Sequence, residues 1–446
     1  MTTRFWRFFC RSVVRAFYRR VEVQGLEHIP PTGGVLLCAN HANALADAVI
    51  IQAIVPRMIH PLARSGLFRS PFLRPFLSIM QAIPVYRRRD PTEGPERNAE
   101  AFARVYDTFR RGGVVLIFPE GQSHSDPKLR PFKTGAARMV LGARDANSVD
   151  PILIPVGLNF THKGRFRSSV FVEVGTPVHT RDFAGAANED NVRALTHQLE
   201  TALSDVTINV DAQEDLDLLR RIERFFAMRH GKYRRRSLAQ RYRAMKALAT
   251  AYQRLREHEP LVVASLARRL QEFQDLCAYW HIRDYHLTVR YSRDVVARFV
   301  TRCTLITFVI LPLGLWGLLN SGIPFVLTYT LGNRFARSDD QYDSAKMIIG
   351  LVVFALFWSV QIAYVYNHYS NTATVLYAAS LLPATAALVL LRYQRRAILE
   401  NFRVFLLFMR RGQLRAYMQE QREMIERELA RLVRAAKQTR RPDRGT

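Results

Sequence analysis

Val35-Leu36-Leu37-Cys38-Ala39-Asn40-His41-Ala42-Asn43-Ala44-Leu45-Ala46-Asp47 passes from an apolar run through a polar turn into a string of helix formers. Val35 to Cys38 reads as a short buried strand. Ala44 to Ile54 reads as a helix, with Asn43 as its natural N-cap. His41 therefore sits in the turn, at the mouth of a domain. An imidazole there can take a proton from a hydroxyl, and Asp47 could accept a hydrogen bond from its other ring nitrogen. Along one continuous helix the two residues would stand about 240° apart, on the wrong faces. They can meet only if the chain turns between them.

Further strands follow outward from this segment. Val114 to Phe118, Ile152 to Val156 and Val170 to Val174 are apolar runs rich in β-branched residues, bounded by Gly, Pro or Asn. Helical patterns at 95–111 and 134–144 lie between them. Strands alternating with helices predict an α/β layered domain over 21–210. Residues 1–20 are basic and aromatic, without a clean apolar stretch or a cleavage site, and read as an amphipathic interfacial helix. Residues 211–300 read as a charged helical accessory segment, with Leu216, Leu218, Leu219, Ile222 and Phe226 at helical spacing.

The C-terminal third is apolar. Residues 347–366 and 372–391 match the thickness of a bilayer core, and 303–331 is a third run interrupted by Pro312, Gly314, Gly317, Gly322 and Pro324. The region 301–393 is therefore expected to be an α-helical transmembrane region, followed by a basic helical tail at 394–446. Arg298 and Arg302 precede the first run and Arg392, Arg395 and Arg396 follow the last, which predicts cytoplasmic flanks. The enzyme domain and the tail would then share the cytoplasmic side of a bacterial inner membrane. An even number of crossings is required for that, with 303–331 either two short crossings or a re-entrant segment.

The net charge of +27, from 65 basic and 38 acidic residues, favours an anionic partner, and the apolar C-terminal runs make the lipid bilayer the expected one rather than nucleic acid. Cys10, Cys38, Cys277 and Cys303 form no CxxC pair or zinc-type spacing, so they read as free thiols; no cofactor or metal is implied.

Four segments then recur in an order that resembles the glycerophospholipid acyltransferases. They are His41 to Asp47, Ala82-Ile83-Pro84-Val85-Tyr86-Arg87, Phe118-Pro119-Glu120-Gly121 with Ser123, and Ile154-Pro155-Val156-Gly157. The resemblance implies His41 and Asp47 as the catalytic pair. It implies phosphate binding at Arg87; on charge alone, Arg88 and Lys133 would support it, with Arg64 and Arg89 as weaker candidates. Glu120, Gly121 and Ser123 fall in the third motif, and Pro155 lies in the fourth, linked with the acyl donor. Five residues separate His41 from Asp47, where the family usually has four. That string, and Phe118 to His124 running on to Pro131-Phe132-Lys133-Thr134-Gly135, resembles the fungal glycerol-3-phosphate and dihydroxyacetone-phosphate acyltransferases. The expected reaction is direct transfer of an acyl group from an acyl-CoA or acyl-carrier-protein thioester to a phosphorylated glycerol acceptor, with lysophosphatidate as the alternative acceptor.

Three other readings compete. A serine hydrolase would use Gly121-Gln122-Ser123-His124-Ser125 as a nucleophile elbow, but the second glycine is missing. A non-enzymatic basic membrane-binding protein leaves His41, Asp47 and Glu120 unexplained. A transacylase working without CoA would differ in its donor.

Overall fold

Alternation along β2 (Val35–Ala39) sets the layers of the fold. Val35, Leu37 and Ala39 face one hydrophobic core, and Leu36 and Cys38 face another. Both faces are covered, so the strand reads as an unbroken apolar run. Each such buried aliphatic side chain contributes about 1.5–3 kcal/mol. The computed structural model describes residues 3–438 except 72, 87–95, 148, 184–187, 229–235, 290–291 and 337.

Among the described residues the sheet has seven strands: β1 (Arg20–Gln24), β2, β3 (Ile59–Arg64), β4 (Ile83–Val85), β5 (Val114–Ile117), β6 (Ile152–Phe160) and β7 (Ser169–Val174). Their spatial order is β1-β7-β6-β2-β5-β3-β4. All neighbouring pairs are parallel except β6 with β7. Over one face lie α1 (Thr3–Phe17) and α2 (Leu45–Ile54), with α3 (Arg74–Ile79) touching α1 through Phe76. The other face carries α4 (Glu96–Arg110), α5 (Gly135–Asn147) and α6 (Glu189–Asp205). The expected α/β layering is what forms, with three further strands at and near the sheet edges.

The unit built on this sheet is wider than 21–210. It comprises Met1–Gln213, Ser237–Tyr242 and Phe335–Met347. The apolar stripe of α1 packs on the sheet domain: Trp6, Cys10, Val14 and Phe17 are buried in its core, while Phe5 and Phe8 are exposed. Ser237–Tyr242 starts α8 (Leu238–His258); Glu22 of β1 accepts the Leu238 and Ala239 N–H groups, and Tyr242 packs on Phe171.

The second unit comprises Glu214–Arg236, Arg243–Arg334 and Ile348–Thr446. The helices of this part of the chain are α7 (Gln213–Met228), most of α8, α9 (Pro260–Tyr279), α10 (Asp284–Thr288), α11 (Arg293–Leu305), α12 (Leu311–Phe335), α13 (Tyr342–His368), α14 (Asn371–Arg410) and α15 (Gly412–Gln438). Ile222 and Phe225 of α7 share a core with Leu266, Leu270 and Phe273 of α9 and with Val404, Met418 and Ile425. Among the described residues three helical runs are long and apolar enough to cross a membrane: Arg293–Phe335, Asp339–His368 and Asn371–Arg410.

The first of these runs corrects the expectation of two short crossings or a re-entrant segment. Its helix continues from α11 through a π turn at Ile306–Ile310 into α12, with Pro324 inside it. Gly314 and Gly317 are contact points rather than breaks: they face Leu391 and Ala384 of α14, and a Cβ on Gly317 would fall 2.1 Å from the Ala384 carbonyl oxygen. If all three runs cross, the count is odd, against the even number expected.

Candidate active site

His41 follows β2 at its carboxyl end, and Glu120 follows β5 at the same end of the neighbouring parallel strand. This is the end of an α/β sheet where ligands bind. Asn40 fixes the exit of β2, because its carboxamide accepts the Leu158 N–H at 2.7 Å and donates to the Leu158 carbonyl at 3.1 Å. The chain then turns through Ala42, Asn43 and Ala44 before α2 begins.

That turn brings the expected pair together. His41 Nδ1 lies 3.0 Å from Asp47 Oδ2, and the Asp47 side chain is fully buried. The same oxygen accepts the Asn43 N–H at 2.7 Å. Asn43 is not the helix cap: Ala44 holds that position, at φ 45° and ψ −125°, and no side chain caps the helix there. The Asn43 carboxamide points instead to Asp343 and Tyr18. One face of the His41 ring stacks on Phe118, with centroids 3.8 Å apart. Among the described residues, Nε2 of His41 makes no hydrogen bond. With Nδ1 held by a carboxylate, Nε2 is left as the nitrogen that can take a proton.

Glu120 is buried, and its carboxylate serves the protein itself. Oε1 accepts the His41 N–H at 2.9 Å, while Oε2 accepts the Arg130 N–H at 3.0 Å and contacts His124 Nε2. The His124 N–H in turn donates to the His41 carbonyl at 3.0 Å. Glu120 thus ties the loop after β5 to the loop after β2, and its oxygens are engaged rather than open to an acceptor hydroxyl.

Gly121 has φ +74°, and a Cβ there would lie 2.7 Å from Lys133 Cε and Nζ. Its own N–H closes a turn onto the Phe118 carbonyl at 3.0 Å. The exposed Lys133 ammonium therefore lies over Gly121, and it makes no ion pair among the described residues. Ser123 donates its hydroxyl to Asp340. Arg64 ends β3 at the same carboxyl end of the sheet, opposite Val85. Arg87 and Arg88, just past β4, lie outside the described residues, as does Arg89. Pro155 is buried within β6 as the register partner of Cys38, inside the sheet rather than in the loop cluster around His41.

Sequence reasoning did not find Tyr18, Asp340, Asp343 or Ser344. All four are buried, and each touches this site or its supporting turn. A signal was present: Asp339, Asp340 and Asp343 stand together in a strongly basic chain, directly before an apolar helix. Burial and the nearby Asp343 and Asp47 carboxylates push the Tyr18 phenol well above its ordinary range, so it stays a donor. Among the described residues no cluster of His, Cys, Asp and Glu suits a metal ion.

Residues 20–159 match the family model described as Acyltransferase. The chain is 34% identical over 134 residues to glycerol-3-phosphate O-acyltransferase 2 of Saccharomyces cerevisiae, a match covering 29% of this chain and 18% of that protein. It is 25% identical over 295 residues to glycerol-3-phosphate O-acyltransferase 1 of the same yeast, covering 60% of this chain and 38% of the relative. A 1-acyl-sn-glycerol-3-phosphate acyltransferase of Bacillus subtilis is 23% identical over 209 residues, which is 46% of this chain and 98% of that protein. The chain thus spans well under half the length of the two yeast proteins.

Proposed function

We propose that this chain, whose residues 20–159 form a domain of the acyltransferase family, transfers a fatty acyl group from an acyl thioester to a hydroxyl of glycerol-3-phosphate or dihydroxyacetone phosphate. The observation that carries the reading is the 3.0 Å contact of His41 Nδ1 with Asp47, which leaves Nε2 for an incoming hydroxyl. The acceptor hydroxyl gives its proton to His41 Nε2 while its oxygen forms a bond to the thioester carbonyl carbon. Asp47 stabilises the imidazolium so formed. Collapse of the tetrahedral intermediate breaks the carbon–sulfur bond, and the departing thiolate recovers the proton from His41. A thiolate leaves readily, so the acyl group need never be attached to the protein.

Charge supports the acceptor class. Lys133 over Gly121 supplies a cation at the carboxyl end of the sheet for a phosphate, and Arg87 and Arg88 are further candidates from the sequence. The two yeast relatives favour a first acylation. The Bacillus relative, matched over 98% of its length, favours a second reading in which the acceptor is lysophosphatidate. The donor is an acyl-CoA or acyl-carrier-protein thioester. We place the protein in a bacterial inner membrane through its long apolar helices, with the sheet domain on the cytoplasmic side.

An acceptor panel tests this. Detergent-purified protein would be given palmitoyl-CoA with glycerol-3-phosphate, dihydroxyacetone phosphate or lysophosphatidate in parallel. Transfer to either of the first two is expected. Transfer to lysophosphatidate alone would replace the acceptor assignment with the second reading.

A further inference from the structure

We infer that Asp343 is a positioning residue for the His41–Asp47 pair, acting through Asn43, so that the start of the second long apolar helix belongs to the catalytic apparatus. This rests on the acyl-transfer reading of the site. Asp343 is fully buried at the start of α13. Its Oδ2 accepts the Tyr18 hydroxyl at 3.1 Å and the Asn43 carboxamide N–H at 2.5 Å. Next to it, the Ser344 hydroxyl donates to the Asn43 carbonyl at 2.8 Å and accepts the Ala46 N–H at 2.9 Å.

Asn43 is therefore gripped at its side chain by Asp343 and at its carbonyl by Ser344. Its remaining polar hydrogen, the backbone N–H, is the one that donates to the Asp47 oxygen bonded to His41. The path Asp343–Asn43–Asp47–His41 is thus an unbroken run of hydrogen bonds. The turn it secures contains Ala44 at φ 45°, a backbone state that L residues rarely adopt. Such a state persists only where the surroundings over-determine it. Asp343 and Ser344 provide that constraint from some 300 positions away in the chain.

A buried carboxylate costs stability unless donors satisfy it, and both donors reaching Asp343 Oδ2, a phenol and a carboxamide, are neutral. Removal of the charge should therefore be tolerated by the fold better than by the geometry it maintains.

The test uses the full-length protein in detergent, with Asp343→Asn, Ser344→Ala, Asp47→Asn and the Asp343→Asn/Asp47→Asn double variant. Asp343→Asn is expected to lower kcat by about 10- to 100-fold, the scale of one hydrogen bond to a charged group. Both KM values should stay within about twofold. In the Asp47→Asn background the same change should cost nothing further, because its effect passes through Asp47. A purely structural role would lower both backgrounds equally.

A readout independent of transfer is the rate at which diethyl pyrocarbonate modifies His41, followed by peptide mass spectrometry. Asp343→Asn should move that rate towards the Asp47→Asn value. Additive losses, or an unchanged kcat with an unchanged His41 rate, would overturn the inference. Should Asp343→Asn not fold, Ser344→Ala carries the same comparison with a several-fold loss expected. A wild-type protein without transfer activity would remove the acyl-transfer reading, and the His41 rates would still decide whether Asp343 positions the ring.

Discussion

Asp47 meets His41 across a turn, not along a helix: the chain reverses at Ala44, and a fully buried carboxylate oxygen comes 3.0 Å from Nδ1 while also accepting the Asn43 N–H. One oxygen therefore closes the turn and fixes the imidazole tautomer. The five residues between the two are accommodated by that turn.

Asp47→Asn keeps the size of the side chain but exchanges an acceptor for an amide. The tautomer of His41 is then no longer set, and the imidazolium loses its counter-charge. A fall in kcat of about 10³- to 10⁴-fold is expected, with little change in either KM. Initial rates across both substrate concentrations check it. A loss confined to KM would place Asp47 in binding.

Glu120→Ala removes the acceptor for the N–H groups of His41 and Arg130, which are joined by that one carboxylate. Two donors left without their partner should cost about 2–4 kcal/mol of stability. Thermal unfolding in detergent should show a clear drop in Tm together with lost activity. If Tm stays at the wild-type value and only the acceptor KM rises, Glu120 contacts substrate instead.

Lys133→Ala and Arg87→Ala should act mainly on the phosphorylated acceptor. Each is expected to raise its KM by about tenfold or more, leaving the thioester KM unchanged. Steady-state kinetics with the acceptor varied provide the check. An unchanged acceptor KM in both variants would move the phosphate site elsewhere.

Burial pushes the Cys10 thiol up to about 12 and the Cys38 thiol higher still. A raised pKa suppresses the reactive thiolate at every pH below it. Both cysteines should resist iodoacetamide in the folded protein through pH 9 and react after unfolding, as read by peptide mass spectrometry. Rapid alkylation of Cys38 in the native state would contradict its place in the central strand.

Much of this was legible because strongly periodic, doubly buried strands announce themselves. Val35 to Cys38 and Val114 to Ile117 lie at the centre of the sheet and are apolar throughout. The missed strands are marginal ones. β1, Arg-Val-Glu-Val-Gln, is charged and lies at an edge; β3 carries His60 and Pro61; β4 has only three residues. Asn43 has the right chemistry for a cap, but Asp343 claims its side chain, and no local rule reaches residues that far apart. The helix over residues 3–17 showed its apolar stripe, yet amphipathicity alone does not say whether protein or lipid covers it. The glycines of the first long apolar run looked like breaks, because the sequence does not reveal that α14 packs against them.

The most direct test of the central claim compares wild type with His41→Ala in transfer of palmitate from palmitoyl-CoA to glycerol-3-phosphate. Both proteins would be purified in detergent and matched for Tm. Transfer by the wild type is expected, with a loss of at least about 10³-fold in the variant, whose fold is kept. A His41→Ala protein that retains activity within about tenfold of wild type would contradict a mechanism in which His41 takes the proton.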